Sequence, residues 1–112
     1  MTLPETDLTR IKRYCESRVP AEYQDQVKVT MKRRGKSVTI LECRPPWSAM
    51  VGPEWSERPL AQMRYDERTA AWTLYYADRN GRWHVYDLIE PHQSAPRLLD
   101  EIEKDPTCIF WG

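Results

Sequence analysis

Apolar and polar side chains alternate with a period of two through residues 27–32, and the same period returns between turn signals in residues 37–40, 60–66, 71–76 and 83–86. That period marks half-buried strands, with one face toward a core and the other toward solvent. Arg34-Gly35-Lys36-Ser37 reads as a two-residue hairpin turn with Gly first, as a type II′ turn needs. Pairing 34 with 37 sets Val38 and Ile40 on the face of Val27, Val29 and Met31. Asp66-Glu67-Arg68-Thr69-Ala70 reads as a four-residue hairpin loop whose last residue, Ala70, takes the left-handed conformation that glycine occupies more comfortably. Pairing 66 with 71 then sets Met63 and Tyr65 on the face of Trp72, Leu74 and Tyr76. Asn80-Gly81 is a further hairpin signal. A loop of two or four residues there brings Trp83 and Val85 onto the Leu74 and Tyr76 face. The opposite face then carries Gln62, Arg64, Thr73, Tyr75, Arg82, His84 and Tyr86.

Helical patterns stand at the two ends. Thr2-Leu3-Pro4-Glu5 has the form of a capping box, with Thr2 as N-cap and Pro4 in the first turn. Leu8, Ile11 and Cys15 follow on one stripe with Tyr14 at its edge, and Pro20 stops the helix near Ser17 or Arg18. Near the other end Ser94 is the expected N-cap of a helix with Ala95, Leu98, Leu99 and Ile102 on one stripe, ended by Asp105-Pro106. Between the strands, residues 45–59 hold four prolines, Gly52, Trp47 and Trp55. Proline cannot donate to a ladder, so this stretch is expected to be a loop and not a central strand, packed down by its two tryptophans. The tail Ile109-Phe110-Trp111-Gly112 is too apolar to hang free and is expected to dock.

The fold class that follows is α+β, a five-stranded antiparallel β-meander flanked by an N-terminal and a C-terminal helix, with residues 1–112 forming one domain. At 112 residues, two domains would each be too small for a good core. Mean hydropathy is low, at −0.77. Five Trp and six Tyr nevertheless supply the large buried areas that offset chain entropy.

Several of these segments together resemble a known family. Arg44-Pro45-Pro46-Trp47, Arg64-Tyr65-Asp66, Trp72-Thr73-Leu74-Tyr75, Asp78-Arg79-Asn80-Gly81-Arg82-Trp83, Asp105-Pro106-Thr107 and Ile109-Phe110-Trp111-Gly112 are similar to the uncharacterised bacterial proteins grouped as domain of unknown function 3024. The resemblance covers residues 20–112. Ala70 and Cys108 stand where the family pattern leads one to expect glycine. The resemblance implies no activity, cofactor or catalytic residue.

The residues themselves exclude few functions. There is no phosphate-binding loop, no dinucleotide fingerprint and no nucleophile elbow, and Asp78-x-Asn80-Gly81 lacks the remaining ligands of a calcium loop. Cys15, Cys43 and Cys108 are odd in number and widely spaced, and with only His84 and His92 beside them they fit reduced thiols better than a zinc site or disulfides. No catalytic residue, metal or cofactor is therefore expected. With no export signal at the N-terminus and no apolar run long enough to cross a bilayer, the expected place is the cytoplasm, away from membranes. Net charge is zero, yet residues 10–36 carry nine basic side chains against three acidic, and residues 84–105 six acidic against two basic. Such a division permits an anionic partner and equally lets two halves pair with each other.

The function expected is a small non-enzymatic binding or interaction module with a possible protein partner. The alternatives are a single-stranded nucleic-acid or nucleotide binder, weakened by zero net charge, and an enzyme of unknown reaction. The candidate ligand-binding residues are Tyr75, His84 and Tyr86, rimmed by Arg64 and Arg82. Tyrosine rings with arginines nearby suit base stacking on a sheet. The competing expectation is that a helix lies over that face. Trp47 and Trp55 are weighed as a binding hot spot against lids over the sheet end, with the lid preferred.

Overall fold

Alternation and turn chemistry put the strands in chain order, and the computed structural model, which describes residues 3–111, shows them so. Helix α1 (Glu5–Arg18) precedes β1 (Lys28–Arg34), β2 (Ser37–Arg44), β3 (Ser56–Asp66), β4 (Ala71–Ala77) and β5 (Trp83–Val85), and α2 (Ala95–Lys104) follows. The five strands form one sheet in the order β1-β2-β3-β4-β5, every neighbouring pair antiparallel. The fold is α+β, an antiparallel meander with one helix before it and one after. Among the described residues no helix is long and apolar enough to cross a membrane.

The local reasons hold in most places. Arg34 pairs with Ser37 across the two-residue turn, where Gly35 takes φ +58°. Asp66 pairs with Ala71, and Ala70 closes the loop at φ +54°. α1 ends at Arg18 with Val19 already extended, and Pro4 occupies its N-cap position. Thr2, expected there, lies outside the described residues. Ser94 is the N-cap of α2, although its side chain makes no capping bond.

Both helices lie on one side of the sheet. Ile11 and Cys15 of α1 and Ala95, Leu98, Leu99 and Ile102 of α2 share a core with Val29, Val38, Ile40, Met63, Trp72 and Leu74. α1 packs on β1 and on α2, and α2 packs on β4. Asp7 is buried in the first turn of α1, where its Oδ2 accepts a 2.9 Å bond from Trp72 Nε1. A carboxylate is favoured at a helix N-terminus, and this one satisfies the indole N–H of the largest fully buried side chain.

The proline-rich stretch departs from expectation. Its last residues, including Pro59, belong to β3, a central strand. Proline is tolerated because β4 pairs only with Ala61–Asp66, so residues 56–59 have β2 on one side and no strand on the other. The register slips between Ile40 and Leu41, which pair with Ala61 and Pro59, leaving Leu60 as an extra residue. This bulge lets both Leu60 and Ala61 enter the core.

The tail docks as its composition requires. Asp105 caps α2 in the left-handed conformation at φ +40°. Its carboxylate accepts backbone N–H bonds from Ile109 at 2.8 Å, Phe110 at 3.1 Å and Trp111 at 2.8 Å. Phe110 is thereby fixed in the core, and Trp111 donates from Nε1 to the Ile102 carbonyl under the Arg18 guanidinium. Cys108, at φ +57°, and Ala70 both adopt the backbone conformation that favours glycine.

Candidate functional site

The face assignment of β5 is the reverse of the one expected. Asp78 N–H donates to the Arg82 carbonyl and Gly81 N–H to the Asp78 carbonyl, so the loop consists of Arg79, Asn80 and Gly81, with Gly81 at φ +81°. A three-residue loop, a type I turn closed by a left-handed glycine, is as natural for Asn-Gly as a two-residue one. An odd loop changes the parity of pairing and turns every side chain of β5 over. Tyr75 pairs with Val85, Tyr76 with His84 and Ala77 with Trp83.

Tyr75 and Arg64 accordingly stand on the helix-free face, whereas His84 and Tyr86 stand on the helix side. Tyr86 is buried, donates from its hydroxyl to Glu101 Oε2 at 2.8 Å and packs its ring 5.1 Å from that of Phe110. Burial, seconded by Glu101, pushes its hydroxyl up to about 12. His84 is exposed, stacks on Tyr76 at 5.4 Å and places Nε2 2.8 Å from Asp78 Oδ2. Arg82 sits in the exposed turn, its backbone N–H donating to Asp78 Oδ1. Trp83 and Val85, expected on the face of Leu74 and Tyr76, are half-buried and exposed respectively, on the helix-free face.

That face is open, and pairing orders its side chains into rows. Lys32, Thr39, Gln62, Tyr75 and Val85 are successive partners across all five strands. Arg34, Ser37, Arg64 and Thr73 form the next row. Gln62 Nε2 donates to Thr39 Oγ1 at 2.9 Å, and Arg64 Nε donates to Gln62 Oε1 at 2.7 Å. The Arg64 guanidinium carbon lies 3.9 Å from the centroid of the Tyr75 ring. Beside it is a hollow of about 380 Å³ lined by Lys36, Ser37, Gln62, Arg64 and Tyr65. Farther along the face, Lys32 Nζ meets Glu57 at 2.7 Å across β2, and Lys28 Nζ lies 4.6 Å from the centroid of the Trp55 ring.

Thr39, Gln62, Trp83 and Val85 are the residues of this surface that the sequence reading left out of the site. The signal for the last two was present: Asp78 fits the first position of a type I turn, and Gly81 follows at the position that closes a three-residue loop. Asp78 bonds His84 and accepts from the Arg82 and Asn80 N–H groups, and these bonds, His84 first, hold its carboxyl down at about 2.

The other candidates separate as well. Trp55 is half-buried beneath Lys28, as a lid would be, but Trp47 is 87% exposed and covers nothing. Met50, in the same loop, is exposed too. Cys15, Cys43 and Cys108 are unbridged. Burial raises the Cys15 thiol to about 12, which makes it a poor nucleophile. Among the described residues no three His, Cys, Asp or Glu side chains cluster as a metal site.

Comparison with known proteins adds a family and no activity. No curated protein and no solved structure matches the chain. The family described as Domain of unknown function (DUF3024) matches residues 2–112, and the chain belongs to it.

Proposed function

We propose that this protein is a non-enzymatic interaction module of the cytoplasm whose working surface is the helix-free face of the sheet. The observation that carries the reading is the placement of both helices on the other side. An antiparallel sheet with one face packed and one solvated needs no ligand for stability, so its outer face is free to vary for recognition. Here that face holds Arg64 against Tyr75, with Trp83 and Val85 alongside. The groups with displaced pKa values support binding over catalysis, since each is tied to a structural neighbour. Tyr14 bonds Glu103 between the helices, Tyr86 bonds Glu101, Asp78 holds its own turn and Cys15 lies in the core.

Site-specific photo-crosslinking in cells tests this. A photoreactive residue at Val85 is expected to trap a discrete adduct, and the same residue at Arg13 on the exposed side of α1 is expected to trap none. Adducts from Arg13 with none from Val85 would move the working surface to the helices.

A further inference from the structure

We infer that the helix-free face takes the phosphodiester backbone of a single-stranded nucleic acid, with Arg64 as its principal phosphate contact; this rests on the proposal that the face is the working surface. Arg64 is the best-prepared cation there. Its Nε is committed to Gln62, Gln62 is itself anchored to Thr39, and the guanidinium is laid over Tyr75. The two terminal nitrogens are left for a ligand, and no ion pair engages them among the described residues. A guanidinium held in this way loses little freedom on binding and suits the bidentate geometry of phosphate.

The charge of the face agrees. By register Lys28, Lys32, Arg34 and Arg64 project from it, with Glu57 and Asp66 as the carboxylates among them. On the helix side charges of both signs mix: α2 carries Asp100, Glu101 and Glu103 with Arg97 and Lys104, and α1 adds Arg10, Lys12, Arg13 and Arg18. The helix-free face is therefore net basic, four cations against two carboxylates, within a chain of zero net charge. Basic residues on β1 have a second explanation, because charges on an edge strand discourage pairing with other sheets. Arg64 has no such explanation: β3 is a central strand.

Shape and chemistry select the polymer. The row from Lys32 to Val85 crosses five strands. At a strand spacing of about 4.8 Å it spans roughly 19 Å, longer than one nucleotide needs and fitted to an extended strand. Trp83 offers ring area, and the guanidinium plane of Arg64, backed by Tyr75, is itself a stacking surface for bases. An acidic peptide would use the cations and leave the stacking surfaces idle.

The test is fluorescence anisotropy with a labelled oligothymidylate of about 12 nucleotides, within the usual site sizes of small single-strand binders. A labelled oligoglutamate and free thymidine monophosphate are run beside it, from low to moderate salt. Binding of the oligothymidylate is expected to weaken with salt. Arg64→Ala is expected to lower its affinity about tenfold and to reduce the log–log salt slope by about 0.7, the value of one phosphate on a single strand. Arg64→Lys, which keeps charge without the fork, is expected to restore the slope and only part of the affinity. Arg13→Ala, on α1, is expected to bind as the parent does. An unchanged slope in Arg64→Ala, or no binding by the parent, overturns the inference. Oligoglutamate bound in preference, or the monophosphate bound as tightly as the polymer, also overturns it. Those last results would leave the face as the working surface, whereas crosslinks confined to α1 would remove the surface itself.

Discussion

The five tryptophans divide by what their rings touch. Trp72 is fully buried, and its indole N–H is committed to Asp7. Its replacement by Ala is expected to cost about 3–5 kcal/mol, a loss that by itself unfolds many small domains. Trp72→Phe keeps most of the apolar area but leaves Asp7 Oδ2 without its donor, for a cost of about 1–3 kcal/mol. Trp47→Ala, at an 87% exposed position, is expected to change stability by less than about 0.5 kcal/mol. Urea denaturation of the three variants checks the order, and a Trp47 variant as weak as Trp72→Ala would contradict it. Ala70 and Cys108 hold positive φ without being glycine. Ala70→Gly is therefore expected to stabilise by about 0.5–1 kcal/mol, the relief of left-handed strain exceeding the added chain entropy. A lower melting temperature for that variant would show that Ala70 is not strained.

At the scale of elements, the Asp78 turn and the Asp105 cap each use one carboxylate to fix a segment. Asp78 sits below the ordinary carboxylate range because its charged form is hydrogen-bonded. A depressed carboxyl stabilises fully above its unfolded pKa of about 4 and loses that contribution as pH falls through the folded value. The backbone amides of Asn80 and Arg82 should report this titration by NMR with a midpoint at about 2; a midpoint near 4 would mean that the carboxylate is not engaged. Asp105→Ala should release the tail and cost on the order of 3 kcal/mol, since bonds to a charged acceptor exceed neutral ones. It should destabilise as removal of residues 109–112 does, and full stability of either variant would show the tail to be dispensable.

These two segments also mark what could and could not be read in the residues. Both helical stripes, the first two hairpins and the docked tail were legible, because periodicity and turn chemistry agree there. The β4–β5 loop was not: Asn80-Gly81 fits loops of either parity, and choosing an even one sent His84 and Tyr86 outward and Trp83 inward. Pro59 misled for a related reason, since the rule against proline in central strands does not see that β4 stops short of it. Of the five candidate site residues, Tyr75 and Arg64 meet on the helix-free face, and the other three were displaced by that one turn.

For the whole molecule, the account depends on which aromatic rings face water. A sheet with helices on one side leaves the other for recognition only if Tyr75 and Trp83 belong to the open side and Tyr86 to the core. Hydroxyl-radical footprinting of the intact protein, read by mass spectrometry residue by residue, measures this directly. Trp47, 87% exposed, is the fast internal reference, and Trp72, with no exposed surface, is the protected one. Tyr75 and Trp83 are expected to oxidise at rates between the two references, while Tyr86 stays with Trp72. Rapid oxidation of Tyr86 together with protection of Trp83 would mean that the β4–β5 loop has even length, and the surface described here would not exist.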